Sequence, residues 1–254
     1  MERDDLASLA GFFFNERPLA AGETVHLGEE AAHHMRVRRL DVGALVYLAD
    51  GAGHHAVGTV TALAKREAHV LVADVSRTSP APQVHLMVPI ADRDRMMWLA
   101  EKATELGASS WRPVSWRRSR SVSPRGEGPS FASRVVARMQ SALLQSHAPW
   151  LPAVHQDALP DAAIEALPTD GSRLVLDSGG TPILHCRLVA PVTIAVGPEG
   201  GLEPAEFSLL AGASFHPVSL GANVLRFETA AVAALAIVRN VLDATPNDTG
   251  RTDG

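Results

Sequence analysis

Residues Val196-Gly197-Pro198-Glu199-Gly200-Gly201 decide how this chain is read. They close an apolar run at 192–196 and precede a helical stretch at 203–212 that opens on an acid. So short a run without polar alternation suits a strand buried on both faces of a parallel sheet. Three glycines and a proline at the carboxyl end of such a strand make a tight loop whose backbone can approach a ligand closely. An ordinary strand-to-helix turn has the same ingredients, so the loop alone leaves both readings open. It is not a dinucleotide fingerprint, because the G-x-G-x-x-G spacing is absent, and no Gly-Lys-Ser/Thr follows to make a phosphate loop.

A second loop, Leu220-Gly221-Ala222-Asn223-Val224-Leu225-Arg226-Phe227-Glu228-Thr229-Ala230, also sits between a strand (216–220) and a helix (229–242), so two loops meet at one sheet edge. Arg226 and Glu228 lead into an otherwise apolar helix, where a charge needs a partner or a ligand. Simple capping is the alternative, since an acid is favoured at a helix N-terminus. Upstream the alternation continues: a strand at 84–90, a helix at 92–106 with Met96, Met97, Leu99, Ala100 and Ala103 toward the core, a strand at Ser110–Val114, a helix at 131–146 and a strand at 173–177. This pattern predicts an α/β domain with a parallel sheet. Glu101-Lys102-Ala103-Thr104-Glu105-Leu106-Gly107 ends the first helix with a C-cap glycine, and its two glutamates beside Lys102 read as a solvated face. Before the linker Thr78-Ser79-Pro80-Ala81-Pro82, short strands at 44–49, 56–63 and 68–75 with an Asp50-Gly51 turn predict a small β-barrel. The expected domains are therefore 1–78 and 83–244, with a disordered polar tail at 245–254.

The chain has 254 residues, 46% hydrophobic and 20% charged, enough for a sizeable core and one or two domains. With 5% aromatic residues, long base-stacking surfaces are not expected. The single cysteine, Cys186, excludes a disulfide framework or a thiolate cluster. No His-x-x-x-His or Cys-x-x-Cys occurs and the paired histidines are adjacent in sequence, so no metal is expected. No Gly-x-Ser-x-Gly elbow is present, and no covalent nucleophile stands out. No run of 18 apolar residues spans a membrane, and the start Met1-Glu2-Arg3-Asp4-Asp5 has the wrong charge for a secretory signal, so a cytoplasmic protein is expected. The formal net charge is −5, yet residues 112–138 hold seven arginines against the single acid Glu127. His34, Arg36, Arg38 and Arg39 form a second basic knot. Such asymmetry points either to a polyanion partner or to a solvated arginine face, and arginine grips phosphate bidentately.

In order and spacing, the Gly197–Gly201 and Leu220–Ala230 loops together resemble the RsmE family of SPOUT-superfamily enzymes, which methylate N3 of a uridine in 16S ribosomal RNA. Lys102-Ala103-Thr104-Glu105-Leu106-Gly107 is similar to that family's K-x-x-E-L-G helix end, and 34–43 with Asp50-Gly51 to its N-terminal RNA-binding barrel. The resemblance covers nearly the whole chain. It implies a SPOUT trefoil-knotted domain, a rare exception to unknotted topology, preceded by a PUA-like barrel. It also implies S-adenosylmethionine bound by Asp177, Val196, Gly197, Pro198, Glu199, Gly200, Gly201, Leu220, Gly221, Asn223, Val224, Leu225, Arg226 and Thr229. The small ribosomal subunit is the implied partner, contacted by His34, Arg36, Arg38, Arg39, Arg117, Arg118 and Arg120, and the apolar last helix is implied as the seam of a homodimer.

Uracil N3 carries a proton that must leave before the nitrogen can attack, so a base or an anion stabiliser is needed. Arg226 is the candidate for anion stabilisation and Glu199 for the base. One departure stands out. Relatives carry a glutamate and an arginine where this chain has Leu144 and Ala148, in Leu143-Leu144-Gln145-Ser146-His147-Ala148-Pro149-Trp150-Leu151-Pro152. His147 or the arginine cluster is the expected substitute. Two other readings stay open: a SPOUT enzyme acting on transfer RNA or a ribose 2′-hydroxyl, and a catalytically silent ribosome-assembly protein.

Overall fold

Alternating burial along 45–72 builds one of two units in the computed structural model, which describes residues 9–119 and 126–244. That unit comprises the chain up to Pro80 together with Gln140–Leu151; the other comprises Ala81–Met139 and the chain from Pro152 onward.

Five strands form the first unit: β1 (Phe12–Phe14), β2 (Thr24–Leu27), β3 (Leu45–Ala49), β4 (His54–Leu63) and β5 (Ala68–Arg77). Their order is β1-β3-β4-β5-β2, with β1 parallel to β3 and the other pairs antiparallel, a PUA-like half-barrel. β4 and β5 run ten residues each, past the strands expected at 56–63 and 68–75. Register shifts at Ala56/Gly58 and Val60/Ala62 let strands of that length bend. Gly58 lies at the first shift, where a Cβ would stand 2.5 Å from Val70 Cγ1.

The basic knot turns out to be the end of a helix, α1 (Glu29–Val37). Glu29 and Glu30 in its first turn and His34 and Arg36 in its last complement the helix dipole. Ala32 and Met35, three apart, are buried in the sheet's core. A second apolar cluster joins Tyr47 and Ala49 to Leu143, with Phe12, Phe14, Leu144, Ala148 and Leu151 packed around it. Leu144 and Ala148 thus serve apolar packing in the first unit. Burial pushes the Tyr47 hydroxyl up to about 12.

The second unit contains β6 (Val84–Pro89), α2 (Arg93–Glu105), β7 (Ser110–Val114), α3 (Pro129–Ser146), β8 (Ala153–Val154), α4 (Pro160–Glu165), β9 (Ser172–Pro182), β10 (Val192–Ala195), α5 (Pro204–Gly212), β11 (His216–Ser219) and α6 (Phe227–Ala244). The last turns of α3, from Gln140, group with the first unit. Its six strands are all parallel, in the order β11-β9-β10-β6-β7-β8. Central β6 and β10 are almost fully buried, as their largely apolar sequences predict, with His85 and Thr193 the polar exceptions. α2 buries Met96, Leu99, Ala100 and Ala103, with Met97 half-buried at the edge of that stripe.

β9 is longer than the strand expected at 173–177. Its register against β11 advances from Val175 to Thr181 while β11 moves only from Pro217 to Val218, so the glycines at 179 and 180 interrupt the ladder without ending it. A Cβ on Gly180 would stand 2.5 Å from Pro217 C and Val218 N.

Among the described residues, no helix is long and apolar enough to cross a membrane. The acidic start Met1–Asp5, the expected RNA-contacting Arg120 and the tail expected at 245–254 lie outside the described residues.

Candidate functional site

β6 is left in two directions: the chain runs on to β7 at one side, while β10 pairs with β6 at the other. Crevices beyond the carboxyl ends of parallel strands at such a point are where open α/β sheets hold ligands. A cavity of about 750 Å³ lies there, within the size range of ligand pockets. Ile90, Ala91, Asp92 and Arg95 line it after β6, Arg118 and Ser119 after β7, Pro198, Glu199 and Gly200 after β10, and Phe227 at the start of α6.

The glycine loop is fixed from both sides. Trp116, buried, donates its indole N–H to the Val196 carbonyl at 3.0 Å. The Arg118 guanidinium donates to the Gly200 carbonyl at 3.0 Å and stands 3.5 Å from the Glu203 carboxylate. Glu206, buried in the first turn of α5, accepts from the backbone N–H of Arg117 at 2.7 Å and of Glu203 at 2.8 Å. One carboxylate therefore ties the segment after β7 to the loop after β10. Gly201, at φ +72°, closes the turn by donating to the Pro198 carbonyl at 2.8 Å.

Among the described residues, two of the four charged side chains in the cavity come from the start of α2. Asp92 caps that helix, accepting from the N–H groups of Asp94 and Arg95 at 3.1 and 3.0 Å. Arg95, in the first turn, pairs with Glu199 across the cavity wall, and its Nε stands 4.0 Å from Glu228 Oε1. Glu228 is 9% exposed, and its Oε2 is buried with no hydrogen-bond partner among the described residues.

The loop after β11 is open. Val224 is 93% exposed and Leu225 38%, and among the described residues no N–H of 221–226 donates a backbone hydrogen bond. Exposed aliphatic side chains beside unused backbone donors suit a planar heterocycle with polar edges.

Of the residues expected to bind a cofactor, Pro198, Glu199 and Gly200 line the cavity, and Val196, Gly197 and Gly201 complete their loop. Leu220, Gly221, Asn223, Val224, Leu225, Arg226 and Thr229 are not among the lining residues, and neither is Asp177, whose Oδ1 accepts from Gly179 N at 2.8 Å. Arg226 is exposed on the open loop, next to the cavity-lining Phe227. Arg118, expected at an RNA surface, is exposed and lines the cavity. His34, Arg36, Arg38, Arg39 and Arg117 are exposed; Arg36 also donates to the Ala32 and Lys65 carbonyls. His147 stacks on Phe12 in the first unit, ring centroids 4.6 Å apart.

Lys102 bridges Glu101 and Glu105 at 2.9 and 2.7 Å, so those glutamates form a surface ion network. The Lys102 hydrogen bond holds the Glu101 carboxyl below its usual range. Among the described residues, no group of three or more His, Cys, Asp or Glu is placed to hold a metal.

Ile90, Ala91, Asp92, Arg95, Ser119 and Phe227 are the cavity residues that the sequence left unassigned. The one local signal was the charged run Asp92-Arg93-Asp94-Arg95 directly after a buried strand, a pattern that helix capping alone explains.

The model of the RNA methyltransferase domain family matches residues 77–239, and that of the RNA methyltransferase PUA domain matches 27–73. A protein named ribosomal RNA small subunit methyltransferase E from Synechocystis sp. is 30% identical over 230 residues, covering 87% of this chain and 74% of that protein. Its namesake from Bacillus subtilis is 25% identical over 224 residues, covering 83% and 87%. Among solved structures, ribosomal RNA small subunit methyltransferase E from Neisseria gonorrhoeae, bound to S-adenosyl methionine, superposes with a TM-score of 0.83 at 26% identity, over 92% of this chain and 99% of that one.

Proposed function

The chain belongs to the ribosomal RNA small subunit methyltransferase E family, and we propose that it methylates N3 of one uridine in the 16S RNA of the small ribosomal subunit. It is an S-adenosylmethionine-dependent methyltransferase. The observation that carries the reading is the cavity at the carboxyl edge of the parallel sheet, where the Pro198–Gly200 loop faces the guanidinium groups of Arg95 and Arg118. Residues 196–201, the open loop 220–226 and Thr229 at the start of α6, with Asp177, would hold the cofactor; the unused backbone donors and exposed Val224 and Leu225 fit it. When bound, S-adenosylmethionine supplies a methyl group on a sulfonium as the electrophile, and the methyl–sulfur bonding pair returns to sulfur on transfer.

The protein's own task is to orient the base and remove a proton. Glu199 accepts the proton from N3, the N–H bonding pair stays on nitrogen, and that pair forms the new bond to carbon. Negative charge then spreads over N3 and the two flanking carbonyl oxygens, where cations stabilise it. Arg226 is proposed to lie over the face of the base as one such cation. N3 is a Watson–Crick atom, so the uridine must be unpaired or flipped out of any helix. The exposed His34, Arg36, Arg38, Arg39 and Arg117 are proposed to contact RNA phosphates. Family membership also carries the proposal of a trefoil knot and of a homodimer through α6.

Nucleoside mass spectrometry tests the reading. Small subunits lacking the methyl group, incubated with the protein and S-adenosylmethionine, should gain 3-methyluridine at one site. Methylation of a ribose or of transfer RNA would replace this reading, and S-adenosylmethionine binding without any methylation would remove it.

A further inference from the structure

We propose that Arg95, Glu199 and Arg118 together read the imide edge of uracil and are the residues that select uridine over cytidine; this rests on the uridine-N3 reading above. Uracil presents an acceptor, a donor and an acceptor along that edge: O4, N3–H and O2. The complementary wall is donor, acceptor, donor. Arg95 and Arg118 line the cavity as donors, and Glu199, an acceptor, lines it too. Cytosine presents a donor, an acceptor and an acceptor, so two of its three positions would oppose the wall. Polar groups that the bound base desolvates and leaves facing the wrong partner are a strong source of discrimination for a binding site.

The three side chains are arranged for that use. Arg95 is anchored from behind by Glu228, at 4.0 Å, while its other side meets Glu199. Arg118 is anchored through Gly200 and Glu203, which among the described residues leaves further donors of its five-donor fork unpaired. The Glu199 side chain is 56% exposed, and an ion pair that open contributes little to stability, so its partners are available to a ligand. The exposure also answers a geometric demand. The N3 proton and the incoming carbon use the same in-plane direction, so once Glu199 has taken the proton it must swing clear before the new bond can form.

The first step of the test is the wild-type assay on unmethylated small subunits. If it yields no 3-methyluridine, the underlying reading fails and takes this inference with it. Given 3-methyluridine, binding of uridine 5′-monophosphate and cytidine 5′-monophosphate to the full chain is compared by saturation-transfer NMR. Wild type should prefer the uridine nucleotide by about tenfold or more, the effect of at least one charge-assisted hydrogen bond. Arg95→Gln and Arg118→Gln should each bring the two affinities together, with thermal midpoints near wild type showing that both variants fold. Glu199→Gln should keep the preference, because its amide oxygen still accepts from N3–H, while kcat falls about 100-fold or more for want of a base. Equal affinities in wild type, or a preference retained in both arginine variants, would overturn the assignment while leaving the methylation reading intact. A Glu199→Gln enzyme with unchanged kcat would show that Glu199 is not the base, and loss of the preference in that variant would remove Glu199 from the assignment.

Discussion

Glu206 is the residue on which the shape of the cavity turns, although it does not line the cavity. Its carboxylate accepts two backbone N–H groups, from Arg117 at 2.7 Å and Glu203 at 2.8 Å, and it is 9% exposed. Replacement by alanine leaves both donors without a protein acceptor in a place where water has little access. Each such loss costs about 1–3 kcal/mol, and partial rehydration at the loop surface brings the pair to about 2–4 kcal/mol. For a unit of this size each kcal/mol lowers Tm by about 2–4 °C, so Glu206→Ala should melt about 5–15 °C below wild type. Glu206→Gln keeps one oxygen acceptor and turns an amide toward the other N–H, so its Tm should fall between the two. The second readout is the rise in Tm at saturating S-adenosylmethionine, which follows binding to the folded state. It should shrink in both variants, because the glycine loop loses its tie to the segment after β7. Differential scanning fluorimetry, with and without the cofactor, measures both quantities. Glu206→Ala melting within about 1 °C of wild type, with an undiminished cofactor response, would show that these hydrogen bonds do not hold the site.

Three further outcomes follow from the packing and the charges. Gly180→Ala would place a carbon 2.5 Å from the backbone of Pro217 and Val218, so it should lower Tm by several degrees and weaken cofactor binding by calorimetry; wild-type values for both would mean β9 can shift freely. Lys102→Met should change stability by less than about 1 kcal/mol in urea titration and leave turnover unchanged, since its bridges to Glu101 and Glu105 lie at the surface. Burial and the neighbouring His155 hold His85 below its ordinary value of 6.5, and burial and Arg112 do the same to His155, so the unfolded chain binds protons at a pH where the folded one does not. The stability they confer is complete above the unfolded value and declines as pH falls through it toward the lower folded value. Tm should therefore drop between about pH 7.5 and 5.5, with a shallower slope in His85→Asn; identical slopes would detach His85 from the effect.

Most of the alternation after residue 82 was legible, because the central strands are largely apolar and the long helices keep a stripe; β8 and α4, two and six residues long, are too short to carry a pattern. Ser110–Val114 falls where the pattern puts it. Phe12–Phe14 was not legible as a strand, since three aromatic residues in a row carry no alternation and their partner strand begins at Leu45. Nor did any pattern show that Gln140–Leu151 would group with the first unit, because the stripe along α3 continues evenly through that point. The site divides in the same way. Glycine and proline mark the 197–201 loop locally, whereas Arg95 meets Glu199 across 104 residues of sequence. Glu206 looks like any acid at a helix start. Its second acceptor role, to Arg117, exists only in three dimensions.

The membership of Gln140–Leu151 in the first unit has a consequence for how the chain comes off the ribosome. The half-barrel strands are complete once Arg77 has been made, yet Tyr47 and Ala49 then lack Leu143, and Gly51 and Gly53 lack the backbone of Leu151 and Pro149. Synthesis must run on past residue 151 before that core can close, with β6, α2, β7 and most of α3 already emerged in between. The first unit is thus first in sequence but not free to finish first, and closing it brings together residues about a hundred positions apart, the kind of contact that slows folding. A fragment ending at the Pro-rich linker should therefore leave Tyr47 and Ala49 uncovered, an open apolar face that a chaperone can bind.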